Sequence, residues 1–213
     1  MYYYFGLGLI VLLVIWLVGS YVVIRNLEEP SYTVLEKRKG YEVRKYDPYI
    51  IAETEVTGSY SDSLNEGFRV IADYIFGNNT SKTSIAMTTP VLENKSESIA
   101  MTVPVINTSE NEQVRIISFV LPSKYTLETL PEPNNSKVRL TEVKARTVVA
   151  LRFNWYAMES RAAKKQALLE ALIAKDGLVV NGPVQVAQYN PPFSMPLMRR
   201  NEIIIPIADV VEE

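Results

Sequence analysis

The side chains that could carry out chemistry in this chain are carboxylates and tyrosines, because its 213 residues include no cysteine and no histidine. This excludes nucleophilic sites of the Cys/His or Ser/His/Asp type, and thiolate or imidazole metal sites. Acid and base catalysis would have to use a carboxylate such as Glu53, Glu55 or Glu202 together with a tyrosine. Glu53 and Glu55 fall on one face of a predicted strand, which is typical of a solvated face. No spacing singles out a catalytic pair, so we expect a protein that is not an enzyme.

The composition indicates a folded protein, with 47% hydrophobic and 22% charged residues and a net charge of -2. This balance excludes a disordered or collagen-like polymer, and the length suits one large domain or two small ones. A nucleic-acid binder concentrates positive charge on one surface, and nothing in these totals suggests a nucleic-acid partner. A chain without cysteine suits a reducing or an oxidising compartment equally well.

Two similar sets of elements are predicted in sequence, each with strands followed by one helix. The elements of the first set are Tyr32–Lys37, Tyr41–Tyr46, Tyr49–Thr57 and the helix Leu64–Ile75. The elements of the second set are Val138–Val143, Thr147–Phe153 and the helix Glu159–Lys175. A capping-box pattern at Ser63–Glu66 marks the expected start of the first helix. We therefore expect one α+β domain over residues 27–213, made of two similar halves at about 31–106 and 114–207.

An eight-residue segment occurs twice in this domain, fourteen residues apart. Ser84–Val91 reads SIAMTTPV, and Ser98–Val105 reads SIAMTVPV, so seven of the eight positions are identical. Met87 and Met101 within it are interpreted as packing residues, because methionine fills irregular apolar space.

These doubled segments resemble the SOUL family of haem-binding proteins, whose members carry paired motifs of the IAMTxPV kind. Further blocks are similar to the family's blocks and follow the same order: Tyr32–Glu36, Tyr41–Tyr46, Gly67–Asn79, Tyr189–Phe193 and Arg199–Glu202. The resemblance covers about residues 31–207. It implies an α+β fold akin to bacterial effector-binding domains, a pseudo-duplicated, distorted antiparallel β-barrel or curved sheet with two flanking helices.

The resemblance also implies a binding site, because the family holds a tetrapyrrole in a shallow apolar cleft between the first helix of the domain and the loop before the last strand. Those elements correspond here to Leu64–Ile75 and Tyr189–Arg200. A porphyrin is a flat apolar plate with two propionates, so its site needs apolar walls and cations at the rim. The expected binding residues for haem or an iron-free porphyrin are Leu64, Phe68, Arg69, Ile71, Ile75, Tyr189, Phe193, Met195, Leu197, Met198, Arg199 and Arg200.

Other interpretations of these residues remain open. Phe68, Ile71 and Ile75 have the spacing of a helix that packs on a core, and an Arg–Arg pair before a strand is often a solvated edge. If haem iron is coordinated, only methionine or tyrosine is available as a ligand. We expect instead that apolar contact and pairing with the propionates hold the ligand, as in a carrier or buffer.

The first 26 residues are expected to form a membrane anchor and its flank. Phe5–Ile24 contains 20 residues without a formal charge, which form about 30 Å of helix and match the hydrocarbon core of a bilayer. A cleaved signal peptide is the alternative, but no basic residue precedes this run. The basic residues that follow it, Arg25 and 37–39, weakly favour the cytoplasmic side for the rest of the chain. A single-pass membrane protein is therefore expected.

Taken together, these patterns predict a membrane-anchored protein that binds haem or a related tetrapyrrole without catalysis. A binding module for another amphipathic planar ligand needs the same kind of cleft and is an alternative. A protein-interaction module is a further alternative, in which the second helix of the domain would present its apolar face to a partner. The residues of that face are Met158, Ala162, Leu169, Leu172 and Ile173.

Overall fold

The computed structural model describes residues 2–25, 27–95, 113–191 and 193–208. The second copy of the doubled segment, Ser98–Val105, lies outside these residues. The helices are α1 (Tyr2–Arg25), α2 (Tyr60–Ile75) and α3 (Glu159–Lys175), with a short 3-10 turn at Pro196–Met198. The strands are β1 (Tyr32–Arg38), β2 (Tyr41–Tyr46), β3 (Tyr49–Gly58), β4 (Val91–Lys95), β5 (Gln113–Val120), β6 (Arg139–Val143), β7 (Arg146–Phe153), β8 (Gln185–Gln188) and β9 (Asn201–Pro206).

These strands form one antiparallel sheet in the order β1-β2-β7-β9-β8-β4-β5-β3-β6. The pair β4 and β8 lies at its centre. From this pair one arm continues through β5, β3 and β6, and the other continues through β9, β7, β2 and β1. The early strand β2 thus pairs with the late strand β7, and β6 pairs with β3. The division into two similar halves stays a prediction.

The sheet is open within the described part of the chain, because β1 and β6 each have a neighbouring strand on one side only. The expected distorted β-barrel is therefore wrong, since closure would require these two edge strands to pair. Alternating residues predict where strands form, but they do not show whether the two edges of a sheet meet.

Helix α1 forms where the apolar run was found, at Tyr2–Arg25. Across the residues that the structure describes, no helix has the length and apolar character needed to cross a membrane. The expected transmembrane anchor over Phe5–Ile24, and the single-pass membrane localisation that depended on it, are therefore wrong. An uncharged run of this length predicts a helix, but it does not by itself establish that the helix crosses a membrane.

Three apolar clusters form the core: one lies beneath α3, one lies beneath α2, and one lies on the opposite face of the sheet. Successive residues of β9 point to opposite faces of the sheet. Ile203 and Ile205 belong to the cluster beneath α3, whereas Ile204 belongs to the cluster on the opposite face. Leu169 and Ile173 of α3 are buried in the same cluster as Ile203. This packing occupies the apolar face of α3 that was considered as a partner surface.

Helix α2 begins earlier than the capping-box pattern suggested. Its N-cap is Ser59, whose Oγ accepts a hydrogen bond from the backbone N–H of Asp62 at 3.3 Å. Ser63 lies within the first turns of the helix and is fully buried. The Ser-x-x-Glu pattern at 63–66 is therefore not the cap, because a second Ser-x-x-acid pattern lies four residues before it.

Alanine substitution of the two serines distinguishes these positions. Ser59→Ala is expected to lower the free energy of unfolding by about 1 kcal/mol, because it removes the cap. Ser63→Ala removes an Oγ that is buried without a hydrogen bond among the described residues, so it should leave stability unchanged or raise it. Urea denaturation measures the free energy of unfolding of both variants. A larger loss of stability in Ser63→Ala than in Ser59→Ala would place the cap at Ser63.

Candidate functional site

The loop between β8 and β9 is held in shape by one buried arginine. Arg199 donates from Nη2 to the carbonyl oxygen of Pro191 at 3.1 Å and from Nε to that of Ser194 at 3.4 Å. Its guanidinium also lies 4.5 Å from the centre of the Tyr156 ring. Burial lowers the pKa of Arg199 below its ordinary value. Arg199 therefore organises the loop from within and does not form a solvated edge.

Around this scaffold the loop exposes large apolar side chains. Phe193 is 61% exposed and Leu197 is 67% exposed. Trp155, which follows β7, is 41% exposed and its backbone N–H donates to the carbonyl oxygen of Pro196 at 3.2 Å. The Tyr156 ring stands edge-on to the Trp155 ring, with 6.2 Å between their centres. We refer to Trp155, Tyr156, Phe193 and Leu197 as the apolar loop surface.

Sequence reasoning had missed the two aromatic residues of this surface. Trp155 and Tyr156 lie in the connection between β7 and α3, which carried no motif. Two adjacent aromatic residues between a predicted strand and a predicted helix were a usable signal, because a connection is exposed and large rings there have little core to enter. The two methionines expected at the site, Met195 and Met198, are half-buried in the same loop.

The expected binding residues on α2 lie in different surroundings, because α2 packs on β3 and β5. Ile71 and Ile75 are buried core residues, and Leu64 packs against the same cluster. Phe68 is partly exposed, with its ring 5.3 Å from that of Phe119. Arg69 is exposed and pairs with Glu66, one turn earlier, at 3.2 Å. The contribution of α2 to a ligand site remains a prediction, with Phe68 as its most accessible apolar group.

Helix α1 contacts the loop through two hydrogen bonds. Trp16 donates from Nε1 to the carbonyl oxygen of Phe193 at 2.9 Å. The backbone N–H of Met195 donates to the Oγ of Ser20, a buried side chain, at 3.2 Å. The Phe193 side chain stays exposed beside these contacts, so α1 supports the backbone of the loop and leaves its apolar side chains accessible.

Tyr189 and Arg200 belong to a buried charge network centred on Glu202. The Glu202 carboxylate is fully buried and accepts from Arg44 Nη1 at 2.8 Å, from Arg200 Nε at 3.0 Å and from the Tyr189 hydroxyl at 2.7 Å. The Arg200 guanidinium lies 3.9 Å from the centre of the Tyr189 ring and also pairs with Glu29 at 2.9 Å. Each charge in the network is thus compensated by a partner.

The pKa shifts within this network indicate that Glu202 is a structural carboxylate. Burial raises the pKa of Glu202, but the hydrogen bond from Arg44 and the charges of Arg200 and Arg44 outweigh it and lower that pKa below its ordinary value. Burial and the negative charge of Glu202 hold the pKa of Tyr189 well above its ordinary value. Glu202 therefore stays ionised and Tyr189 stays protonated, which does not suit either of them to proton transfer.

The other two carboxylates that were considered for catalysis share one arginine. Arg139 donates from Nε to Glu53 at 3.0 Å and from Nη2 to Glu55 at 3.3 Å. Glu53 also accepts from the hydroxyl of Thr141 at 2.8 Å. No group of three or more Asp or Glu side chains in the described ranges could hold a metal ion.

Comparison with known proteins gives matches over the sheet domain. Residues 27–206 match the sequence model of a family described as SOUL heme-binding protein. Heme-binding protein 1 of Xenopus laevis is 25% identical over 165 residues, which make up 77% of this chain and 82% of that protein.

Solved structures with a similar fold include the C-terminal domain of EcmrR, with a TM-score of 0.58 and 11% identity over 84% of this chain and 99% of that one. A hydrolase from Listeria innocua has a TM-score of 0.54 and 11% identity over 82% of this chain and 94% of that one. At such low identity these two structures are evidence for the fold alone.

Proposed function

The chain belongs to the SOUL heme-binding protein family, and we propose that it binds haem or a related tetrapyrrole without converting it chemically. The exposed apolar loop surface carries this proposal. Large apolar side chains exposed on neighbouring loops of a folded protein are typical of a binding site, and a porphyrin ring is a flat apolar partner for them. The similarity to a heme-binding protein from Xenopus laevis also supports it.

The side chains present support a role as a carrier or buffer. Haem supplies an iron that proteins hold through His, Cys, Met or Tyr, and this chain has only the last two types. Tyr189 already donates its hydroxyl to Glu202, which leaves Met195 and Met198 in the loop, and Tyr156 beside it, as the nearest candidates. We therefore infer that apolar contact supplies most of the affinity, so haem and iron-free porphyrin should bind alike.

Truncating the apolar loop surface tests this proposal. The variant Phe193→Ala with Leu197→Ala is expected to bind haem at least tenfold more weakly, because each covered side chain contributes roughly 1.5–3 kcal/mol. Its unfolding midpoint should change little, since both side chains are exposed. Visible absorbance titration with haem, and fluorescence titration with iron-free protoporphyrin, measure the affinities.

A matched control removes two apolar side chains elsewhere. Val179 and Val180 are 67% and 48% exposed, and their alanine variants should bind haem as the wild type does. Unchanged haem affinity of the Phe193 and Leu197 variant would contradict the proposed surface. Binding of haem but not of iron-free protoporphyrin would show that a side chain coordinates iron, against the inference above.

A further inference from the structure

A basic cavity lies between the end of β7 and the N-terminal half of α3. Its volume is about 460 Å³, within the range of about 300–1,000 Å³ that is usual for small-molecule sites. Leu168 contributes an apolar wall. Of the residues that the structure describes, four basic ones and no acidic one line it: Arg152, Arg161, Lys164 and Lys165.

The basic residues of α3 converge because of helical spacing. Arg161, Lys164 and Lys165 are three and four positions apart and therefore share one face of the helix. Arg161 donates to the carbonyl oxygen of Tyr156 at 3.1 Å. Neither lysine forms an ion pair within the described residues. Like charges at this spacing repel each other, and an anion between them would relieve that repulsion.

The cavity is adjacent to the apolar loop surface. Asn154 lines the cavity and donates from Nδ2 to the carbonyl oxygen of Leu197 at 3.4 Å. The hydrogen bond from Arg161 to Tyr156 is a second direct link between them. A ligand with an apolar plate and an anionic edge would therefore meet apolar side chains and cations on neighbouring surfaces.

We propose that this cavity binds the propionate carboxylates of the tetrapyrrole whose ring lies on the apolar loop surface. The inference rests on the proposed function and adds the residues that recognise the anionic edge of the ligand. Arginine and lysine form charge-assisted hydrogen bonds with carboxylates. The ring supplies apolar contact, and Arg161, Lys164 and Lys165 select a free acid over an uncharged ligand of the same shape.

The test compares protoporphyrin IX with its dimethyl ester, in which both carboxylates are neutral. Porphyrin fluorescence gives the affinity of the full chain for each. We expect the wild type to bind the free acid about tenfold more tightly than the ester, as one charge-assisted hydrogen bond would give. Lys164→Gln with Lys165→Gln should reduce this preference by weakening only free-acid binding, because Arg161 and Arg152 stay in the cavity. Added salt should weaken free-acid binding to the wild type and leave ester binding unchanged.

A control variant, Lys45→Gln with Lys137→Gln, makes the same change in net charge at two exposed positions and should keep the preference. Equal affinity of the wild type for the two porphyrins, or an unchanged preference in the Lys164 and Lys165 variant, would overturn this inference and leave the proposed function intact. If neither porphyrin binds the wild type, both fail.

Discussion

Replacing Glu202 with alanine is expected to lower the free energy of unfolding by about 3–5 kcal/mol, the usual cost of removing one partner from a buried ion pair. The reason is the position of Arg44, whose side chain is only 4% exposed. Without Glu202 this guanidinium would keep Glu42, at 2.8 Å, as its remaining carboxylate. The Arg44 guanidinium also lies 4.5 Å from the centre of the Tyr32 ring, which does not replace a negative charge. Urea denaturation monitored by circular dichroism measures the change.

The matched control is Glu42→Ala, which removes a partly exposed carboxylate from the same arginine. It should cost less than about 1 kcal/mol, because solvent screens an exposed ion pair. Replacing both buried partners, Arg44→Met with Glu202→Leu, should recover part of the loss, since no charge then stays buried without its partner. If Glu202→Ala costs no more than Glu42→Ala, the network does not contribute to stability as we infer.

The same carboxylate gives stability a defined dependence on pH. The pKa of Glu202 is lower in the folded protein than its ordinary value of 4.5. The contribution of Glu202 to stability is therefore fully present above about pH 4.5, and it is lost as the pH falls through the lower pKa of the folded protein. We expect the free energy of unfolding of the wild type to fall on acidification more steeply than that of Glu202→Gln. Parallel curves for the two proteins would contradict this assignment.

Several elements could be predicted from the sequence because their signals are local. The strand Tyr41–Tyr46 and the helix Glu159–Lys175 were predicted with the bounds that the structure has. Alternation and helical periodicity arise from side chains a few positions apart, which a single sequence shows directly. The start of α2 was predicted wrongly, because two serine-based patterns lie four residues apart and local chemistry does not rank them.

The buried network and the strand pairings could not be predicted, because they depend on contacts between distant parts of the chain. Arg44 and Glu202 are 158 positions apart, and nothing near either residue indicates the other. The pairing of β2 with β7 likewise joins segments that are far apart in the sequence. At the candidate site, the exposed loop side chains Phe193 and Leu197 were expected, whereas the adjacent basic cavity was not. Its cations were visible in the sequence, but their proximity to the loop depends on the fold.

Replacing Gly67 with alanine is expected to destabilise the protein by about 1–3 kcal/mol, the usual cost of forcing extra atoms into a packed core. An alanine Cβ at this position would lie 2.5 Å from Cγ1 and 2.6 Å from Cβ of Ile117. Ile117 is fully buried in β5, so it cannot move aside without disturbing its neighbours. In an exposed part of a helix the same change would stabilise by roughly 1 kcal/mol, so the sign of the effect tests the close packing of α2 on β5.

The comparison substitution is Glu66→Ala, one position earlier on the exposed side of α2, which should change stability by less than about 0.5 kcal/mol. Gly67→Val should cost more than Gly67→Ala, because it adds two further carbon atoms at the same contact. Ile117→Ala alone should lower the free energy of unfolding by about 2–5 kcal/mol, because it leaves a cavity. The double variant Gly67→Ala with Ile117→Ala should lose less than the sum of the two single variants, because the added Cβ at position 67 enters the space that Ile117 vacates. Urea denaturation of the wild type, Gly67→Ala, Ile117→Ala and the double variant measures this coupling. A gain in stability from Gly67→Ala would show that α2 and β5 are further apart than the structure places them.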